Sequence, residues 1–143
     1  MRFMVLVKAS PASERGEMPD QKLMSAMEDF NQELLKAGVL LAGEGLHPSS
    51  KGARVAFSGK SRTVVDGPFT ETKELVAGFW LWQCKSMDEA KEWVKRCPNP
   101  HLDDSVVEIR QVYEASDFAA VMTPEQIDAE EKWREKSGMA AKK

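Results

Sequence analysis

Two cysteines, two histidines and one tyrosine are all that 143 residues contain of those types, and each shortage closes a class of chemistry. Cys84 and Cys97 fall in segments that read as a strand and a helix end and have no C-x-x-C spacing, which argues against zinc binding and dithiol redox work. The sequence has no H-E-x-x-H, no P-loop, no dinucleotide fingerprint and no nucleophile elbow. Long hydrophobic runs are missing too. Met1 to Lys8 is too short and lacks the cleavage site of a signal peptide, and no stretch reaches membrane-spanning length. Charge of one sign is nowhere gathered: 20 basic and 23 acidic residues are interspersed, for a net charge of -3, so nothing resembles a footprint for a phosphate backbone. The expectation is one cytoplasmic domain with reduced thiols, without metal, cofactor, membrane or nucleic-acid partner.

What is present is the makeup of a globular domain, 42% hydrophobic and 30% charged, long enough to bury a core. Phe3 to Lys8 is apolar on both alternating faces, Phe3/Val5/Val7 and Met4/Leu6, and predicts a buried central strand. Ser10 to Pro19 has no periodicity and predicts a loop. Asp20 is placed to cap a helix whose Leu23, Met27, Phe30 and Leu34 recur at helical spacing until Gly38. Val39 to Leu46 predicts a strand, and Ala53–Phe57 with Arg62–Val65 a hairpin around Ser58-Gly59-Lys60-Ser61. Leu75 to Cys84 is the most hydrophobic stretch, with Val76, Gly78, Trp80, Trp82 and Cys84 on one side and Ala77, Phe79 and Leu81 on the other. Ser86 with Glu89 forms a capping-box pattern before a helix that Pro98 ends, and Val106 to Tyr113 predicts the last core strand. Thr123-Pro124-Glu125-Gln126 opens a final helix that Gly138 can close.

This order matches an α+β, ferredoxin-like β-α-β-β-α-β plan with a hairpin inserted between its halves and a C-terminal helix added. Both core helices then cover one face of the sheet. The other face would expose large apolar side chains at about 25 cal/mol per Å², so a second copy of the sheet is expected to cover it. A long loop or the C-terminal helix is the alternative cover.

The most specific stretch is Asp66-Gly67-Pro68-Phe69-Thr70-Glu71-Thr72-Lys73-Glu74. Asp66 can cap backbone N–H groups, Gly67 relieves the restriction before proline and Pro68 fixes its own φ, which together make a rigid corner. The run closely resembles the signature of the DGPF proteins of the YCII-related family, and the resemblance extends over roughly Arg2 to Phe118. It implies a domain over 1–118 with a helical extension over 119–143, assembled as a homodimeric α+β barrel with two sheets face to face. DGPF proteins are widespread in bacteria and often found beside extracytoplasmic-function sigma factors, which implies a sigma factor as a candidate partner. In the YCII pattern a His and Asp pair marks the candidate active site, and here no histidine falls in the first-helix region.

The candidate site residues follow from motif and strand. A strand starting near Thr70 would put Glu71 and Lys73 on one side, with Thr70, Thr72 and Glu74 on the other. In one reading Asp66, Glu71 and Lys73 are catalytic candidates, a carboxylate with a raised pKa acting as acid or base while Lys73 orients a small anionic metabolite. In the other the motif is a turn with a surface ion-pair ladder. Glu108 and Arg110, two apart on one strand face, are ligand-binding candidates together with Glu74; the resemblance favours an acidic and a basic residue there, and a structural salt bridge is the alternative. Trp82, like Trp80 and Trp93, can stack on a planar ligand or pack in the core. His47 and His101 are loop residues able to shuttle protons or merely to face solvent. Two functions remain: a dimeric small-molecule-binding protein or acid–base enzyme with a pocket on the inner sheet face, or a non-catalytic accessory or regulatory module.

Overall fold

The computed structural model describes residues 1–142 as a mixed α+β chain with antiparallel sheets. Strands β1 (Arg2–Lys8), β2 (Leu40–Gly45), β5 (Val76–Gln83) and β6 (Val107–Gln111) form one sheet in the order β2-β5-β1-β6, while β3 (Ala53–Ser58) and β4 (Ser61–Asp66) form a separate two-stranded hairpin. Helices α1 (Pro11–Glu14), α2 (Gln21–Lys36), α3 (Met87–Lys95) and α4 (Pro124–Ser137), with 3-10 turns at Ser49–Lys51, Thr72–Glu74 and Ala115–Phe118, complete the described elements.

The core lies between α2, α3 and one face of the large sheet. Phe3, Val5 and Val7 from β1 and Trp80 and Trp82 from β5 point into it, meeting Phe30 and Leu34 of α2 and Ala90 of α3. Phe30 is the hub: its ring centroid lies 6.0 Å from Trp80, 6.2 Å from Trp82 and 6.4 Å from Trp93, in edge-on geometry that aromatic quadrupoles favour. Trp82 is fully buried, and among the described residues its indole N–H has no partner.

Local chemistry sets the element ends. Asp20 accepts from Leu23 N at 2.8 Å to start α2, Ser86 Oγ accepts from Glu89 N at 3.1 Å to start α3, and Thr123 with Gln126 forms a reciprocal box at the start of α4. The expectation of an unstructured Ser10–Pro19 is corrected: Ser10 and Ser13 exchange side-chain-to-backbone hydrogen bonds of 3.1 and 2.9 Å, and Pro11 at the first helical position completes the conditions for α1. A strand beginning near Thr70 is corrected as well. Thr72–Glu74 forms a 3-10 turn and β5 starts at Val76, so the motif's charges follow no period-two alternation. The hairpin turn shortens to Gly59-Lys60, with Gly59 at a φ of +56°. Tyr113 lies beyond β6, exposed, its ring 4.9 Å from that of Phe118.

The face away from α2 and α3 carries Met4, Leu6, Phe79 and Leu81, with Arg110 beside Met4 and Glu108 beside Leu6 on the neighbouring strand. Its cover differs from end to end. At the Arg2–Gln83 end the chain's own C-terminal segment closes it: the buried Arg2 guanidinium donates to both Glu114 oxygens at 2.9 and 3.0 Å and to the Met139 carbonyl at 2.9 Å, and Gln83 exchanges hydrogen bonds with the Lys142 backbone. Leu81 is buried, while Met4 directly across from it and Leu6 and Phe79 nearer the other end are only half-buried.

Candidate functional site

A cavity of about 1000 Å³ opens where α2, the α1 segment, the end of β2 and the 100–102 loop meet the sheet. Val7, Ala77, Gly78 and Trp80 contribute from β1 and β5, and Met24, Met27 and Asn31 from α2. Gly43 faces Trp80 across the β2–β5 ladder, and a Cβ there would sit 2.7 Å from the indole Cδ1, so the glycine is what admits the ring. Trp80 Nε1 then donates to Asn31 Oδ1 at 2.9 Å, which fixes both the indole and the amide at the cavity wall.

Two histidines stand at this cavity. His101 Nε2 lies 2.7 Å from the Lys8 carbonyl oxygen. A carbonyl can only accept, so Nε2 carries the proton and Nδ1 of the neutral ring is left as a basic lone pair. His47 is exposed at the mouth. Glu14, also a lining residue, is held rigidly: its Oε1 accepts from Ser49 N at 3.1 Å and its Oε2 from Ser49 Oγ at 2.5 Å. Ser49 Oγ in turn accepts from Phe69 N at 3.0 Å, so the Asp-Gly-Pro-Phe corner is strapped to the cavity rim. The corner is a cis Gly67-Pro68 peptide with Gly67 N donating to Gly52 O at 3.0 Å, and Arg54 stacks 3.9 Å from the Phe69 ring centroid.

The residues proposed from sequence do not gather in this cavity; none of Asp66, Glu71, Lys73, Glu74, Glu108, Arg110 and Trp82 lines it. Asp66 ends β4, exposed. Glu71 and Glu74 do come together: a side-chain hydrogen bond with Glu71, then the repulsion of its charge, raises the Glu74 carboxyl above its ordinary value. Lys8 Nζ donates to the Glu74 carbonyl at 3.3 Å, and Lys73 is exposed. Glu108 and Arg110 pair with each other at 3.5 Å, 43% and 73% exposed, on the sheet face opposite the core. Trp82 belongs to the packed interior. Asn31, Glu14 and Ser49 escaped the sequence reading. Its pointers to the cavity were Trp80, His47 and His101, all of which line it. Burial pushes the Cys84 and Cys97 thiols up to about 11, which keeps both protonated near neutral pH and poorly nucleophilic. Among the described residues no cluster of His, Cys, Asp and Glu could hold a metal ion, and no helix is long and apolar enough to cross a membrane.

The family model for the YCII-related domain matches residues 1–116. The chain belongs to the YCII-related family. A curated relative, the uncharacterized protein R00369 of Rhizobium meliloti (strain 1021), is 32% identical over 91 residues, which is 64% of this YCII-related chain and 73% of the relative. Among solved structures, 5-chloro-2-hydroxyhydroquinone dehydrochlorinase (TftG) from Burkholderia phenoliruptrix AC1100, in complex with 2,5-dihydroxybenzoquinone, superposes with a TM-score of 0.42 at 20% identity, covering 79% of this chain and 95% of that one.

Proposed function

We propose that this chain is a homodimeric, DGPF-type small-molecule-binding protein whose ligand occupies the cavity beside Trp80, where His101 can serve as acid or base. The cavity itself carries the proposal: about 1000 Å³, walled by Met24, Met27 and Trp80, with Asn31, Glu14 and His101 as a few convergent polar groups. That combination, a mainly apolar pocket with sparse fixed polar atoms, is what a small organic ligand requires. A planar molecule fits best, its ring against Trp80 and a hydrogen-bond donor toward the free Nδ1 of His101. The Asp-Gly-Pro-Phe corner then acts through Glu14 and Ser49 as a brace for the cavity rather than as its chemistry.

The finer architecture belongs to the same proposal. The strand order β2-β5-β1-β6, with α2 and α3 on one face, supports a ferredoxin-like domain over 1–118 and a separate extension over 119–143. Half-buried Met4, Leu6 and Phe79 support a second copy meeting the uncovered part of the sheet, where it would enclose Glu108 and Arg110. A cytoplasmic location follows from the sequence reading, and a non-catalytic role beside a sigma factor rests on the family resemblance alone.

The test is a thermal-shift and fluorescence titration with 1-anilinonaphthalene-8-sulfonate followed by a panel of aromatic acids, since a ligand of the folded state raises its apparent stability. Met27→Trp, which puts a larger ring into the cavity beside Trp80, should weaken binding, and His101→Gln should weaken it at least tenfold. Lys73→Ala should leave it unchanged. Loss of binding in Lys73→Ala with retention in Met27→Trp would move the site to the charged motif and overturn the proposal.

A further inference from the structure

The β3–β4 hairpin is exposed along its whole length, its contact with the rest of the chain lying at its base, where Arg54 stacks on Phe69. Its register places Ala53 opposite Asp66, Val55 opposite Val64 and Phe57 opposite Arg62, so Val55, Val64 and Phe57 share one face with Asp66 and with Arg62, whose guanidinium lies 4.5 Å from the Phe57 ring centroid. Phe57 is 73% exposed, and Val55 and Val64 are exposed beside it. The opposite face carries Arg54, Ala56, Ser58, Ser61, Thr63 and Val65. A lone two-stranded hairpin with an apolar face is marginal in water, which calls for a partner surface.

A matching surface exists at the mouth of the cavity. Met18, Met24, Leu35, Leu46 and Leu102 are all exposed, and all line it. The hairpin cannot cover this mouth in its own chain. Its base joins the rim at Ser49–Gly52, yet none of residues 53–66 lines the cavity, so the arm leads away from it. Charge complements shape. The arm carries Arg54, Lys60 and Arg62 against the single carboxylate of Asp66. The cavity lining carries Glu14, Glu17, Glu28 and Glu44 against Arg15 and Lys51.

We infer that the apolar face of each hairpin arm caps the cavity of a second copy of this chain, so that the ligand site is completed by the partner and Phe57 becomes part of its lid. The exchange is reciprocal, as a two-fold interface requires. Six-residue strands at about 3.3 Å per residue make an arm face about 20 Å long and about 10 Å wide. Two such faces, each covered by its mouth, remove about 800 Å² from water, and the uncovered sheet face supplies the rest of the roughly 1,200 Å² that a stable dimer needs. The inference rests on the homodimer and the cavity proposed above and adds where the arm goes.

The experiment mixes two populations of the full chain in a Cys97→Ser background, one with Phe57→Cys or Ala56→Cys on the arm and the other with Met24→Cys at the mouth, and treats them with a short bismaleimide. Phe57→Cys with Met24→Cys should give an inter-chain product at least tenfold more abundant than Ala56→Cys with Met24→Cys, because only the first arm face meets the mouth. Phe57→Asp should shift the dimer toward monomer in light scattering while circular dichroism stays unchanged. A monomer at 0.1 mM or so, a dimer without the cross-link, or equal cross-linking from both arm faces would each overturn the inference. Naphthalene-sulfonate binding, measured on the same samples, separates the outcomes: a cavity that binds probe without arm contact keeps the small-molecule reading and rejects the lid.

Discussion

Gly67→Ala tests the role assigned to the Asp-Gly-Pro-Phe corner. A Cβ at Gly67 would lie 1.8 Å from the Ser49 carbonyl oxygen and 2.7 Å from its carbon, and both are backbone atoms that cannot rotate aside. Relief requires the corner to part from the 3-10 turn at Ser49–Lys51, with loss of the bonds from Gly67 N to Gly52 O and from Phe69 N to Ser49 Oγ and of the Arg54–Phe69 stack. At about 1 kcal/mol for each hydrogen bond and somewhat less for an exposed cation–π contact, the cost is about 2.5 kcal/mol. The hairpin and its corner lie outside the core cluster, so the loss should appear as local opening rather than global unfolding. Hydrogen exchange should show the Gly67 and Phe69 amides about 100-fold less protected, while the urea midpoint read by tryptophan fluorescence changes little. Gly45→Ala is the control, because nothing lies within 4 Å of its Cβ position. Unchanged exchange at Phe69, or the same loss in the control, would refute the strap between corner and rim.

Glu114→Ala leaves the buried Arg2 guanidinium without its two-pronged carboxylate and should cost about 3 kcal/mol in urea unfolding, the low end for a broken buried pair because Glu114 is partly solvated. Glu108→Ala, which breaks an exposed pair, should cost no more than about 1 kcal/mol in the same assay. Both thiols are raised from 9.0 to about 11, so the folded state holds protons that the unfolded state releases, and urea stability should fall between about pH 9 and pH 11. A Cys84→Ala, Cys97→Ala double variant should flatten that decline. Glu74 is raised by its neighbour Glu71, so Glu74→Gln should increase the urea midpoint at pH 7, and the gain should shrink as the pH is lowered through the carboxyl range.

The helices and strands that bury one face were legible because their signals are local. Asp20, Ser86 and Thr123 begin helices where their hydroxyl or carboxylate oxygens can reach the first turn, and the Trp80/Trp82 side of β5 turns to the core as alternation requires. The α1 turn was missed because it depends on one reciprocal pair of serines and a proline, too short to show periodicity. The motif's charges were misplaced because a strand was assumed where Thr72–Glu74 closes a 3-10 turn. The cavity was illegible for another reason. Its wall is drawn from α2, β2, β5 and the 100–102 loop, which no local pattern joins, and Asn31 acquires its place only when Gly43 admits Trp80.

The tail that ties Arg2 and Gln83 to Glu114, Met139 and Lys142 acts as a shim on the outer side of the sheet. In the proposed homodimer a second sheet stacked there would enter from the Lys8 end, which would move the symmetry axis toward the Leu6–Phe79 pair. The two layers of that homodimer would then be staggered, and trimming the shim would change their offset before it changed the fold of either one.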